Sequence, residues 1–419
     1  MSVPSASLLD PRRTVRELRE LQMLTGDSRG AQRVAFTRPW AEAREWLRAK
    51  VDDLPVTWEM DEALNVWITL RGRAQRELIL GSHLDSVPDG GWLDGCLGVL
   101  AGLEVLRRLA RQGTPPVTVR LVDWTDEEGA RFGRSLFGSS ASCGTLDVED
   151  VRYLRDAQGT SFGDVASEYG IDLDHLGAAA SAPPNAAAYL ELHIEQGPVL
   201  ESMGLPLGAV LGTVGIERHV VRFMGQTAHA GSTPMFARRD GFSAAARLAL
   251  EARSVAARHK GVTTIGSCLL KPGIPTAVPG ECEITIDQRH LDRSALAAML
   301  SETRKASVDL AREEGVGVDW SRLWSIEPLS FHPDLVELAD RAITKVAGTS
   351  HRLPSGPLHD AAEMSRRGVP TAMMFVQSLR GLSHAREEDT REEHLELAVL
   401  AFDRLVTQTM SWIVSGGGR

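Results

Sequence analysis

The sequence predicts an α/β protein in which a parallel-sheet domain is interrupted by a smaller two-layer insert. Continuous apolar runs such as ELILGSH (77–83) and VTVRLVDWT (117–125) have the character of strands buried on both faces, and a helix-patterned stretch lies between them. Between about 213 and 328 the order becomes β-α-β-β-α-β, a complete two-layer unit by itself. After 329 the chain returns to alternating helix and strand. The expected division is therefore an α/β domain in two parts, 1–212 and 329–419, around an insert at 213–328.

The first 40 residues read as helical, with Leu18, Leu21 and Leu24 on one face. The strand ending at His83 is followed by a Gly- and Asp-rich loop, DSVPDGGWLDG, and an apolar helix from about Leu97 to Arg111 that Gly113 and Pro115 stop. The next strand runs into Asp126, Glu127 and Glu128. A stretch from about 146 to 187, rich in Ala, Asp and Ser, reads as helix and loop, and AYLELHIEQG as a short strand ending in His193 and Glu195. In the insert, 214–224 alternates as a strand and 240–259 is a helix opening at Asp240. Strands at 262–271 and 281–290 flank the turn-rich PGIPTAVPG; a helix at 293–314 and a strand in GVGVDWSRLWSI close the unit. Helices at 333–347, 359–367 and 391–414 and a strand at 370–376 complete the chain.

Composition narrows the class. With 43% hydrophobic and 24% charged residues the chain of 419 has globular character. A net charge of −10 repels nucleic acid and anionic membrane, so neither is an expected partner. No run of about 18 apolar residues stands out, and the N-terminal stretch lacks the apolar core of a secretory signal. Four scattered cysteines suit a reducing compartment, and the expected location is cytoplasmic.

His83, Asp85, Asp94, Glu127, Glu128, His193 and His384 all fall at the end of an expected buried strand or in a loop near the same rim. Each has an ordinary reading. A lone His after a strand is commonly a hydrogen-bonded structural residue, Asp94 before Gly95 has the pattern of a helix cap, and adjacent glutamates are commonly solvated. Together they are harder to dismiss, because the carboxyl ends of parallel strands converge on one rim. Imidazoles and carboxylates form a nitrogen and oxygen ligand set suited to Zn, Mn or Co. A shared carboxylate can bridge two ions, and a further carboxylate is then needed as general base; Glu127 and Glu128 could divide those jobs.

The segments GSHLDSVPDGGWLDGCLGV, TDEEGARF, ELHIEQGPVLE, GQTAHAGSTPM and GLSH, in that order, resemble the amidase, hydantoinase/carbamoylase family of metal-dependent hydrolases, which includes N-carbamoyl-L-amino acid hydrolases, β-ureidopropionases and allantoate amidohydrolases. The resemblance implies a metal-dependent aminopeptidase-like catalytic domain and a ferredoxin-like insert that acts as lid and builds a homodimer. It implies two divalent ions, Zn foremost, with Mn, Co or Ni as alternatives. His83, bridging Asp94 and His193 would hold one; Asp94, Glu128 and His384 the other. Glu127 becomes the general base and Asp85 the carboxylate that orients His83. His229 would polarise the scissile carbonyl, and Arg289 would grip the carboxylate of a small-molecule substrate, with Gln196 as a substrate-contacting amide. The peptidase relatives carry a carboxylate at the position of His193, which favours the carbamoylase branch.

Some positions depart from the family pattern. Thr276 replaces an Asn that touches substrate, Leu358 stands where the family leaves space, and Gln377, Ala385 and Arg386 replace Pro, Ser and Pro. All five ligand positions are kept, which argues against a non-catalytic scaffold. The expected chemistry is hydrolysis of a linear C–N bond in an N-carbamoyl or ureido acid, releasing amine, ammonia and carbon dioxide. Allantoate-type hydrolysis and N-acyl-amino-acid deacylase or dipeptidase activity on the same site are the alternatives. A Cys-nucleophile amidase using Cys96 or Cys143 is a third reading.

Overall fold

The structure, a computed structural model, describes residues 8–176 and 185–418. The central part of the Ala-rich stretch read as helix and loop, 177–184, lies outside the described residues. The chain divides into two compact units, Met1–Leu211 with Phe331–Arg419, and Gly212–Ser330.

The first unit is built on a mixed β-sheet. Its centre is four parallel strands in the order Thr371–Val376, Ala186–Ile194, Ala74–His83 and Val117–Trp124. Antiparallel strands flank them, Leu207–Thr213 on one side and Val66–Leu70 then Thr57–Met60 on the other. These outer strands were not apparent in the sequence. Leu207–Thr213 carries two glycines in seven residues, which hide its alternation, and VWITL is too short to separate strand from buried helix by period. Register sets the position of the functional rim: His83 pairs with Trp124, and His193 with Phe375, so the strand ends that carry the informative residues finish level.

Helix Cys96–Gln112 is buried almost throughout and packs on one face of this sheet beside the C-terminal helix Glu392–Val414. By length and composition alone that last helix is apolar enough to cross a membrane, but Leu395, Val399, Phe402, Leu405 and Val406 are fully buried in the core. A second cluster gathers Phe36, Trp40, Phe132, Phe137 and Phe162, whose rings meet mostly edge to face at 5.0–6.5 Å.

The second unit runs strand Gly215–Met224, helix Gly241–His259, strands Val262–Lys271 and Glu281–His290, helix Arg293–Glu313 and strand Gly317–Ile326. The strands form an antiparallel sheet in the order second, third, first, fourth. Both helices open on an aspartate cap: Asp240 accepts from Phe242 and Ser243 N–H, and Asp292 from Ala295 N–H.

Arg44 joins helix Arg38–Ala49 to the sheet. Its Nε donates to the fully buried Asp123 at 2.7 Å, and Asp123 also accepts from Leu84 N–H at 2.8 Å, directly after His83. Removing the guanidinium leaves a buried carboxylate with no cation. Arg44→Leu is expected to destabilise the unit by about 3–5 kcal/mol, read as a lower denaturation midpoint; a loss below about 1 kcal/mol would mean that Asp123 simply takes up a proton.

Candidate metal centre

Asp94 decides between the ordinary reading and the functional one. The helix beginning at Cys96 is capped by Gly95 and has no side-chain cap, so Asp94 is not a helix cap. Its carboxylate turns the other way: Oδ1 lies 3.1 Å from His193 Nε2, and Oδ2 lies 3.3 Å from His384 Nε2. Glu128 Oε2 stands 3.2 Å from the same His384 nitrogen. His83, Asp94 and His193 form one trio of converging ligand atoms and Asp94, Glu128 and His384 another, with Asp94 common to both; within each trio the atoms lie within 4.8 Å of one another.

The local backbone explains the placement. His83 and His193 are the last or nearly the last residues of adjacent parallel strands. Gly95 has φ +67, and a Cβ there would stand 2.4–2.5 Å from the His83 ring, so only glycine lets the loop pass this close. Asp126, in the turn after Trp124, has φ 53, a conformation Asp tolerates, and it separates the directions of the two glutamates that follow. Glu127 and Glu128 are therefore not a solvated pair: Glu127 is buried with Oε2 3.6 Å from His83 Nε2.

Asp85 meets His83 through both its main chain and its side chain. His83 Nδ1 donates to the Asp85 backbone carbonyl at 3.1 Å, closer than the 3.5 Å to its carboxylate. The carboxylate instead accepts from Glu127 N–H at 3.2 Å and Glu128 N–H at 3.1 Å. Asp85 thus orients the imidazole through its main chain and the two glutamates through its side chain.

A cation fits this donor set. His193 Nδ1 donates to the Ile194 carbonyl at 3.0 Å, as His83 Nδ1 does to Asp85, so in both rings Nε2 is the nitrogen left to face carboxylate oxygen. Glu128 Oε1 is buried with no hydrogen-bond partner, and His193 Nε2 has only the Asp94 carboxylate at 3.1 Å beside it. An imidazole nitrogen and a carboxylate oxygen buried about 3 Å apart hold a proton or a metal ion between them. Two ligands of one tetrahedral ion at about 2.0–2.2 Å sit about 3.3–3.6 Å apart, and the 3.1–3.3 Å separations around Asp94 are close to that. A further group, Glu191, His193 and His359, is already satisfied: Glu191 accepts from Ser82, Tyr189 and Ala361, and His359 Nε2 sits 3.0 Å from Ser355 Oγ.

The electrostatics point the same way. Burial opposes charge on His83 and His193, yet both are shifted up, His83 well above its usual range, by Glu127 and Asp85, and His193 by Asp94. Burial would raise Asp94, but hydrogen bonds with His193 and His384 hold it well below the usual carboxylate range. Hydrogen bonds to Asp94 and Glu128 push His384 up to about 10. Burial raises Glu127 well above the usual range; Asp360 and Glu128 add repulsion and His83 opposes it.

The other expected site residues are distributed over both units. Gln196 (φ 56) joins the cluster: its Nε2 donates to Asp94 Oδ2 at 2.9 Å and to Ser383 Oγ at 3.1 Å, while its Oε1 has no partner. Leu358 is half-buried, directly before the buried His359. His229, Thr276 and Arg289 belong to the second unit. There, His229 Nδ1 accepts from Gly231 and Ser232 N–H at 3.1 Å each, which fixes the ring proton on Nε2. Ala230 N–H donates to the Thr276 carbonyl, and Arg289 Nε donates to Asp287 at 2.8 Å. Cys96 and Cys143 are buried; burial raises both thiols, Cys143 to about 12, the opposite of what a nucleophile requires.

Ser383 and Glu388 also touch the cluster and were missed in the sequence. Ser383 Oγ reaches Asp94 Oδ2 at 3.0 Å, and Glu388 accepts from Leu93 and Asp94 N–H. Glu388 lies within AREEDTREE, which reads as solvated charge; only its separation of four residues from His384 hinted otherwise.

Residues 79–408 match Peptidase family M20/M25/M40. The N-carbamoyl-L-amino acid amidohydrolase of Geobacillus stearothermophilus is 35% identical over 377 residues, covering 87% of this chain and 90% of that protein. The allantoate amidohydrolase of Escherichia coli (strain K12) is 32% identical over 388 residues, covering 91% and 93%. Among solved structures, an amidase of the hydantoinase/carbamoylase family from Burkholderia multivorans has a TM-score of 0.87 at 29% identity, with 96% and 98% covered. A hydantoinase/carbamoylase family amidase from Burkholderia ambifaria has a TM-score of 0.85 at 33% identity, with 95% of each chain covered. With most of its length matched, the chain belongs to Peptidase family M20/M25/M40, and within it to the hydantoinase/carbamoylase amidases.

Proposed function

We propose that the chain hydrolyses the linear C–N bond of an N-carbamoyl or ureido acid, releasing amine, ammonia and carbon dioxide, at a pair of divalent ions. The observation that carries this reading is the single carboxylate, Asp94, shared by two ligand trios beside a buried glutamate. The names of the relatives favour a carbamoyl or ureido substrate over a peptide. His83, Asp94 and His193 would hold one ion, and Asp94, Glu128 and His384 the other. Bound there, such ions supply Lewis-acid polarisation of the carbonyl and acidify water.

The protein's own groups do the rest. Glu127, its proton affinity raised by burial and by its acidic neighbours, is the group to take a proton from water and return it to the leaving nitrogen. Asp85 fixes its main chain, so the carboxylate does not drift. The tautomer of His229, with its proton on Nε2, is the donor form that a developing oxyanion requires. To Arg289 we assign the substrate carboxylate, on the resemblance stated for the sequence.

Metal-reconstituted protein assayed on N-carbamoyl-L-amino acids, allantoate and N-acyl amino acids is expected to release ammonia from a carbamoyl or ureido substrate. Turnover confined to N-acyl substrates, with organic acid and no ammonia formed, would overturn the reading in favour of a deacylase. Glu127→Gln is expected to lower kcat by about 10²–10⁴-fold while metal content, measured by elemental analysis, stays at the wild-type level; unchanged turnover would remove Glu127 from the role of base.

Metal uptake should also depend on pH, with a definite sign. His83, His193 and His384 have proton affinities above the usual histidine range in the metal-free protein, so at neutral pH an incoming ion must displace protons. Calorimetry in buffers of different ionisation enthalpy is expected to show net proton release at pH 7, and apparent affinity is expected to fall from pH 8 to pH 6. Affinity independent of pH would exclude imidazole ligation.

A further inference from the structure

Two loops far apart in sequence deliver Asp94 and His384, and one buried side chain outside the ligand set joins them. Glu388 follows His384 by four residues and is 2% exposed. Its Oε1 accepts from the backbone N–H of both Leu93, at 3.0 Å, and Asp94, at 3.1 Å. Its Oε2 lies 3.1 Å from Ser383 Oγ, the hydroxyl that reaches Asp94 Oδ2 at 3.0 Å. The next residue, Asp389, accepts from the indole N–H of Trp92 at 3.2 Å. Three consecutive residues, Trp92, Leu93 and Asp94, are thus held by two consecutive acids of the opposite loop.

Asp94 needs such a hold. Its two carboxylate oxygens face different imidazoles, so a rotation that improves one contact spoils the other. The adjoining helix holds its main chain, the Asp94 carbonyl accepting from Cys96 N–H at 2.7 Å, but leaves its carboxylate free to turn, because Asp94 does not cap that helix and Gly95 turns the chain with φ +67. The residue on the far side of the contact also serves it: a Cβ on Gly91 would stand 2.1 Å from Glu388 Cδ and Oε1, so the loop carries glycine where the carboxylate packs. A buried carboxylate that accepts from two backbone N–H groups and lies against a hydroxyl makes strong, directional bonds that fix main-chain position.

We infer that Glu388, seconded by Asp389, is a positioning residue for the metal centre, docking the Asp94 loop on the His384 loop so that one carboxylate serves both ligand trios. This rests on the metal reading above and extends it to a residue that touches neither ion nor substrate.

The test is calorimetric and spectroscopic titration of the metal-free full-length protein with Co(II), alongside its thermal unfolding without metal. Glu388→Ala removes the acceptor, and Gly91→Ala pushes it aside from the other loop; both are expected to weaken Co(II) binding by about 10–100-fold and to alter the visible Co(II) spectrum. Glu388→Gln keeps an oxygen able to accept both N–H groups and is expected to bind Co(II) within a few-fold of wild type. A purely structural role would lower the metal-free unfolding temperature in Glu388→Ala and leave Co(II) affinity and spectrum as in wild type, which overturns the inference. If Glu388→Ala does not fold, Gly91→Ala and Glu388→Gln decide: wild-type affinity in Gly91→Ala, or a loss of ten-fold or more in Glu388→Gln, overturns it. A wild-type protein that binds no Co(II) would remove the functional reading as well, whereas wild-type binding matched by every variant would remove this inference alone.

Discussion

Carboxylates buried side by side need positive charge, and that requirement organises one rim of the first unit. Asp85, Asp94, Asp126, Glu127, Glu191, Asp360 and Glu388 are all buried near the ends of the parallel strands, and no Lys or Arg is ion-paired with Asp94, Glu127 or Glu128 among the described residues. The nearest cationic groups are the imidazoles of His83, His193 and His384, each with a proton affinity raised by those acids. Desolvated anions at this density are stable only when protons or metal ions share the space. The folded chain therefore holds a site poised for cations, and hydrolytic chemistry is what such a site, with a spare buried glutamate, can perform.

Strands and loops contribute differently to it. His83 and His193 sit on paired parallel strands whose register fixes their separation, and they need little beyond one main-chain acceptor each. Asp94, Glu128 and His384 come from loops, and each depends on further contacts: backbone N–H groups held by Asp85 or Glu388, and the amide of Gln196. Three turns at this rim place a non-glycine residue in the left-handed region, Asp126 at φ 53, Gln196 at φ 56 and His384 at φ 55. Such conformations cost about 1–3 kcal/mol each and persist because the surrounding hydrogen bonds allow no alternative.

The α/β class was legible because buried parallel strands leave continuous apolar runs, and ELILGSH and VTVRLVDWT lie at the sheet centre with cover on both faces. Val66–Leu70 and Leu207–Thr213 were not legible, since a short run and a Gly-rich one carry no period of their own. The candidate ligands could be picked out by position at strand ends, but no single one could be distinguished from its ordinary reading. Asp94 shows why: Asp-Gly before a helix is the pattern of a cap, and only the direction of its carboxylate in the fold separates the two. Glu388 was illegible for the converse reason, because its burial is created by Gly91, almost 300 residues earlier, and nothing local in a run of charges records that.

The position of the insert has a consequence for how the protein is made. His83, Asp94, Glu128 and His193 all emerge from the ribosome before the second unit begins at Gly212, whereas His384 and the strand Thr371–Val376 emerge after it ends at Ser330. A nascent chain thus possesses one complete candidate trio and one incomplete one, next to a strand, Ala186–Ile194, whose outer edge still lacks its parallel neighbour. Until the last segment arrives, that edge is open to wrong partners. Translation order therefore places both closure of the sheet and completion of the second trio late.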